Sequence, residues 1–355
     1  MRPVKLKIAL AGLGRIGKKH ALNILSQSQM IDFVAVFAPT TAEFQWAAKN
    51  LAQYGVFLYS RYEEMMSHAS LDAVLIATAA AVHEVEIIQA LEQNLHVLCE
   101  KPLSTNIEAC HRILKAAREK PQLKVMCGFT RRFDASYRQA RQQVTSGLIG
   151  EPSFIRCQSC DKYDAGGFFV QYSALSGGIF VDMGIHDIDL TLWFLGEDTV
   201  PKSITATGSA TLHPELLTTN DRDNAMGMIE FHGGKVAQFY VSRMMAHGQE
   251  DSTDVIGTEG KVTINAQPAK DLVNLCHAGG ITREVPEEFW ARFEYAFSQE
   301  LREFADACLL DKPLPMKLET AVKALEIAAA LQESLVTDKQ IRFDEQGRRL
   351  LMASL

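Results

Sequence analysis

The chain lacks a cationic excess: Lys and Arg total 36 against 43 Asp and Glu, a formal charge of −7. That balance argues against a protein that grips a nucleic-acid backbone through a basic stripe. Long apolar runs are also missing. The longest uncharged one, Ala73 to Val82, spans ten residues, about half of what a bilayer crossing needs. Cysteine is sparse, seven in 355 residues, odd in number and scattered, which fits reduced thiols better than a disulfide framework. Histidines are never spaced as H-x-x-x-H, and the Cys157–Cys160 pair has no second pair to complete a zinc site, so no metal is expected. Within a strand those two cysteines, three residues apart, point to opposite faces. Acids are missing from the first 31 residues, which carry Arg2, Lys5, Lys7, Arg15, Lys18 and Lys19. This superficially resembles an organellar transit peptide, but the same stretch encodes a strand and a glycine turn, and the expected location is the cytoplasm.

Apolar residues make up 47% and charged residues 22%, the balance of a globular protein long enough for two domains. As far as about residue 128, short apolar runs alternate with helical periodicity. Strands are expected at Lys7–Ala11, Asp32–Phe37, Asp72–Thr78, His96–Cys99 and Leu123–Gly128, with helices at Arg15–Gln27, Thr41–Tyr54, Val82–Gln93 and Asn106–Glu119. Such alternation predicts an α/β domain with a doubly wound parallel sheet. After Gly150–Glu151–Pro152 the runs are short and hairpin-spaced, with turn signals such as His232–Gly233–Gly234–Lys235. Three helices interrupt them, at Asp182–Leu195, Phe289–Leu310 and Leu318–Leu335. The second domain is therefore expected to be α+β, with a large, mostly antiparallel open sheet. The predicted division is residues 1–128 for the first domain and 129–355 for the second.

Gly12–Leu13–Gly14–Arg15–Ile16–Gly17 forms a G-x-G-x-x-G turn directly after the first strand and at the start of the first helix. Gly12 permits the tight turn, Gly14 lets a pyrophosphate approach the backbone, and Gly17 allows close helix packing, while the helix N-terminus offers free N–H groups. In this strand–turn–helix context the motif predicts a Rossmann dinucleotide site. The acid that usually grips the adenine ribose after the second strand is replaced by Ala38, and no Arg or Lys lies between Asp32 and Lys49 to attract a 2′-phosphate. Thr40 and Thr41 can hydrogen-bond either ribose. NAD and NADP both remain open, with a lean to NAD.

Asp182, His186 and Asp189 fall at i, i+4 and i+7 of a predicted helix, on one face. A carboxylate one turn from an imidazole can orient the ring and raise its basicity. Oxidising a secondary alcohol needs such a proton acceptor, together with a cation for the developing alkoxide. Lys101 suits the second task, because Pro102 restricts its backbone. Asp189 is as readily a structural contact as a site residue.

Three separated motifs, the glycine turn, His96–Val97–Leu98–Cys99–Glu100–Lys101–Pro102–Leu103, and the segment Ser176 to Asp189 with its Asp182-x-x-x-His186 pair, together resemble the glucose-fructose oxidoreductase / inositol dehydrogenase / rhizopine-catabolism family. The segment Gly128–Phe129–Thr130–Arg131–Arg132–Phe133–Asp134 is similar to its inositol 2-dehydrogenase branch. The resemblance implies an NAD(P)-dependent dehydrogenase of a cyclic polyol or sugar, with myo-inositol the leading guess and Lys101, Asp182 and His186 as catalytic residues. It implies cofactor contacts among Gly12, Gly14, Arg15, Ile16, Gly17, Ala38, Thr40, Thr78, His83, Glu100 and Lys101, although a structural role is the simpler one for His83. Lys101, Arg131, Asp161, Tyr163, Asp182 and His186 are the candidate substrate contacts, while Arg132 and Lys162 stand near the same pocket. Family members bury the open sheet against another subunit, so a homodimer or homotetramer is expected, with no nucleic-acid or membrane partner. Two positions depart from the family pattern: Ala38, and the loop Ala79–Ala80–Ala81, where Pro or Asn is usual. The alternatives are a keto-sugar or carbonyl reductase using the same site, and a non-catalytic dinucleotide sensor. Retention of Lys101, Asp182 and His186 argues against the sensor.

Overall fold

Short aliphatic runs separated by amphipathic segments form the first half of the chain as β1 (Leu6–Ala11), α1 (Arg15–Ser26), β2 (Ile31–Phe37), α2 (Thr41–Asn50), β3 (Phe57–Tyr59), α3 (Tyr62–Met66), β4 (Ala73–Ile76), α4 (His83–Glu92), β5 (His96–Glu100), α5 (Ile107–Arg118) and β6 (Val125–Gly128). The computed structural model describes residues 5–350. The six strands pair in parallel in the order β3-β2-β1-β4-β5-β6. All four residues of β4 are buried, as expected of a central strand covered on both faces. Strand order reverses between β1 and β4, and a crevice outside the carboxyl ends of the strands opens where order reverses.

β3 and α3, at three and five residues, are too short to leave a readable period. The predicted helix over Thr41–Tyr54 stops at Asn50; a 3-10 turn, Ala52–Tyr54, follows and ends on Gly55 in the left-handed region.

This first compact unit comprises Met1–Thr130 and also Tyr295–Val322. The returning segment is tied to α1: the Asn23 amide donates to the Phe297 carbonyl at 3.1 Å, and the Ser298 hydroxyl donates to Asn23 Oδ1 at 2.7 Å. The His20 ring meets the edge of Phe297 with centroids 5.4 Å apart.

The second unit, Arg131–Glu294 with Lys323–Leu355, contains α6 (Ala135–Thr145), β7 (Pro152–Lys162), α7 (Phe168–Ser176), a π turn (Phe180–Gly184), α8 (Ile185–Leu195), β8 (Pro201–Ser209), β9 (Asn224–Phe231), β10 (Val236–Met245), β11 (Glu250–Gly257) and β12 (Lys261–Ile264). A hairpin of β13 (Asn274–His277) and β14 (Gly280–Arg283) follows. The later elements are α9 (Phe289–Leu309), α10 (Leu318–Thr337), β15 (Ile341–Phe343) and β16 (Arg349–Leu350). The eight-stranded sheet runs β12-β11-β7-β10-β9-β8-β15-β16, antiparallel except where β10 pairs with β7.

Alternation along its strands is regular. Ala225, Ile229 and Phe231 on β9 and Ala237, Phe239 and Val241 on β10 are buried, whereas Met226 and Met228 are 47% and 51% exposed. One face therefore packs on helices and the other is open, as antiparallel sheets permit. Cys157 and Cys160 on β7 are both buried, and every cysteine of the chain is a free thiol. α6 is capped by Asp134, whose carboxylate accepts from the Ser136 and Tyr137 N–H groups. It escaped sequence detection, as did the evenly apolar α7, which has no polar face to mark a period. Among the described residues no single helix is long and apolar enough to cross a membrane.

Candidate active site

In the first unit the glycine turn has the geometry its spacing predicts. Gly12 sits at φ +88°, and a Cβ there would lie 2.8 Å from the Ala77 carbonyl oxygen; one on Gly17 would lie 2.2 Å from the Gly12 carbonyl oxygen. Both positions exclude side chains because backbone already fills the space. A Cβ on Gly14 would meet nothing within 4 Å, so this glycine borders open space at the start of α1. Arg15 is exposed and Ile16 half-buried beside it. Gly17→Ala is expected to cost about 1–3 kcal/mol of stability through overpacking and to weaken NAD binding on the order of tenfold, measured by thermal melts and calorimetric titration.

At the end of β2, Ala38 is buried and its N–H donates to the Tyr59 carbonyl. The Thr40 hydroxyl is used as the cap of α2: it accepts from the Glu43 N–H, while the Glu43 carboxylate accepts from the Thr40 N–H. The Thr78 hydroxyl donates to Glu86; burial pushes the Glu86 carboxyl up to about 7, with Thr78 opposing the shift. His83 is a brace between two loops. Its Nδ1 lies 3.0 Å from the Pro102 carbonyl and its Nε2 lies 3.2 Å from the Thr78 carbonyl. Burial lowers its pKa, and the two carbonyls oppose that shift.

Lys101 follows β5, half-buried, with a cis peptide to Pro102. Its backbone N–H donates to Glu100 Oε2 at 3.2 Å, and Glu100 Oε1 lies 2.6 Å from His20 Nε2 on α1. Burial opposes the Glu100 carboxylate, yet His20 and Lys101 hold its pKa below the ordinary range. From α9, Glu300 accepts from the Thr130 hydroxyl at 3.4 Å. Burial, reinforced by the Glu100 charge, raises the Glu300 pKa well above the ordinary value. The loop that carries Lys101 is thus braced by His20, Glu100 and His83. No local motif marked His20 or Glu300.

In the second unit Asp182 lies in the π turn and His186 in the first turn of α8. The expected continuous helix over Asp182–Leu195 therefore begins as a π turn, Phe180–Gly184, and becomes α-helical only from Ile185. Asp182 Oδ2 accepts from Arg243 Nη2 at 2.9 Å, a partner the sequence did not suggest. His186 is 6% exposed, with its ring 5.2 Å from that of Phe289.

Two arginines hold the neighbouring acids. Arg131, 2% exposed, donates through Nη1 to Asp187 Oδ1 at 2.7 Å and to Ser159 at 2.8 Å, and through Nη2 to Asp251 at 2.7 Å. Burial pushes the Asp187 carboxyl up to about 6 against the pull of Arg131 and Ser159. Arg132 holds Asp189 in a two-pronged pair at 2.8 Å, which gives Asp189 a structural partner. Asp161 is half-buried at the end of β7, and its pKa is raised by burial and by Asp251. Tyr163, 39% exposed, stacks on His213 at 5.8 Å. Among the described residues no group of three or more His, Cys, Asp or Glu is arranged to hold a metal ion. The concavity on the open sheet face, lined by Arg156, Gln158, Gln238, Tyr240, Asp254 and Lys261, contains none of these residues.

Residues 6–129 match the oxidoreductase family with an NAD-binding Rossmann fold, and residues 137–263 match the GFO/IDH/MocA C-terminal domain. The chain belongs to the GFO/IDH/MocA oxidoreductase family. It is 30% identical over 345 residues to a scyllo-inositol 2-dehydrogenase (NAD(+)) of Bacillus subtilis (strain 168), spanning 96% of this chain and 97% of that one. A myo-inositol 2-dehydrogenase of Thermotoga maritima is 27% identical, with 96% and 99% covered. The crystal structure of scyllo-inositol dehydrogenase from Lactobacillus casei with bound NAD(H) and scyllo-inositol superposes with a TM-score of 0.90 at 32% identity, covering 96% and 99%. This family member is therefore an oxidoreductase whose NAD-binding Rossmann domain carries the glycine turn described above.

Proposed function

We propose that this enzyme oxidises a secondary hydroxyl of a cyclic polyol with NAD, an inositol being the leading substrate. The observation that supports this most is Asp182 in the π turn followed four residues on by His186 in the first turn of α8, in a chain 30% identical to a scyllo-inositol 2-dehydrogenase over 96% of its length. The open space bordered by Gly14 at the start of α1 takes the dinucleotide's diphosphate. Bound NAD supplies the hydride acceptor. His186 takes the proton of the reacting hydroxyl, and Asp182 orients the ring and offsets the charge it gains. The Lys101 ammonium stabilises the oxygen as it becomes an alkoxide. Asp161 and Tyr163 hydrogen-bond further hydroxyls of the ring, and Arg131 contributes through Asp187 rather than by touching substrate.

NAD is favoured over NADP because Ala38 is buried, Thr40 is occupied as a helix cap, and no cation lies between Asp32 and Lys49 for a 2′-phosphate. The open sheet face with Met226 and Met228 supports a homo-oligomer, to be checked by light scattering. The free thiols fit a reducing compartment such as the cytoplasm.

The test is a panel of scyllo-inositol, myo-inositol, pyranose sugars and keto-sugars with NAD and NADP, followed at the nicotinamide absorbance band. Turnover of inositols with NAD at least ~10-fold more efficient than with NADP is expected, a difference of about 1.4 kcal/mol. Cofactor binding without turnover on any member of the panel would refute this function.

A further inference from the structure

We infer that Arg243 is a positioning residue of the dehydrogenase site, holding the Asp182 carboxylate and the π turn that carries it and thereby setting the field in which His186 accepts its proton. This rests on the polyol dehydrogenase function proposed above.

Arg243 lies on β10, 3% exposed. Its two terminal nitrogens reach two different acids. Nη2 donates to Asp182 Oδ2 at 2.9 Å, and Nη1 donates to Asp221 Oδ2 at 2.8 Å and to the Arg222 carbonyl at 3.2 Å. Asp221 is fully buried, and its Oδ1 accepts the Ile179 N–H at 2.7 Å and the Arg222 N–H at 2.8 Å. Ile179 immediately precedes the π turn and Asp182 lies within it. One guanidinium therefore ties both the entry and the middle of that turn to β10, while its flat face lies 5.1 Å from the Phe169 ring centroid. The planar fork makes this double attachment feasible; an ammonium, a point charge on a flexible stem, cannot reproduce it.

The exposures separate this cluster from an ordinary core ion pair. The Asp221 and Arg243 side chains are 0% and 4% exposed, but Asp182 is 25% exposed, so the clamp is buried and the acid it holds still meets solvent. Electrostatically, Arg243 offsets the negative charge of Asp182. The other charged groups around this region are Asp161 at the end of β7, Arg222 beside Asp221, and the Arg131–Asp187–Asp251 and Arg132–Asp189 pairs. Removing the Arg243 charge leaves the negative charge of Asp182 uncompensated four residues from His186, which favours imidazolium and moves the acid limb of the oxidation profile upward.

The test compares wild type, R243Q and R243K as full-length enzymes. R243Q is expected to bind NAD as wild type does, to lose on the order of 10–100-fold in kcat with KM for inositol changed less than about threefold, and to shift the acid limb of kcat/KM up by about one unit. R243K keeps the charge but not the double attachment, so its limb stays in place while kcat remains several-fold low. An NMR titration of the His186 ring in wild type and R243Q reads the same shift without turnover. A wild type inactive on every polyol would sink the functional proposal and leave that titration to decide this one. A folded R243Q with unchanged kcat, acid limb and His186 titration would overturn the inference. If R243Q does not fold, R243K with wild-type kcat would overturn it equally.

Discussion

His186→Ala is expected to lower kcat for inositol oxidation on the order of 100-fold or more, with NAD affinity close to that of wild type. The ring belongs to the first turn of α8, all eleven of whose residues except Trp193 are buried, so truncation removes a proton acceptor without disturbing the strand–helix unit that carries the glycine turn. The cavity left against Phe289, whose ring lies 5.2 Å from the imidazole, affects stability modestly compared with its effect on proton transfer. Steady-state kinetics with saturating NAD, together with calorimetric titration of NAD, separate the two effects. Unchanged turnover would remove His186 from the mechanism; a proportional loss of NAD affinity would show that the substitution had acted through the fold.

Arg131→Ala is expected to destabilise the protein by about 3–5 kcal/mol, because it strands two buried carboxylates, Asp187 and Asp251, that now share one guanidinium. The side chains on both sides of those pairs are 0–3% exposed, so water cannot replace the lost donor. Burial pushes the folded-state pKa of Asp187 up to about 6, above the ~3.9 of an unfolded Asp. The folded state therefore binds that proton more tightly, and the stability linked to this group declines as pH rises from near the unfolded value through the folded one. Without Arg131 the folded pKa rises further, and the decline continues to higher pH. Urea denaturation of both proteins should show a deficit for R131A that is larger near pH 7.5 than near pH 5.5. A deficit below ~1 kcal/mol, the range of exposed ion pairs, or one independent of pH, would show that the network is not a structural support.

These two residues mark different degrees of legibility. His186 stands out in the sequence as a candidate base because the chemistry it needs is local: an acid four positions earlier and helical periodicity around both. Arg131 was readable only as a polar residue near a presumed pocket. Its assignment to Asp187, Ser159 and Asp251 depends on partners 56, 28 and 120 positions away. The double role of Arg243 has the same origin, since Asp182 is 61 positions from it and Asp221 is 22. An arginine within a strand run leaves no periodic trace of what it binds.

By itself the amino-acid sequence determined the parallel α/β unit, the glycine turn with its excluded Cβ positions, the loop that presents Lys101 and the antiparallel character of the second sheet, since each follows from short-range sterics, hydrogen bonding or side-chain period. Only the tertiary structure decided that Tyr295–Val322 returns to the first unit, that His20 braces Glu100 across 80 positions, that a π turn carries Asp182, and that buried arginines rather than solvent hold the acids beside His186. Those outcomes depend on which desolvated charges find partners once the core has closed, and chain spacing carries no record of that choice.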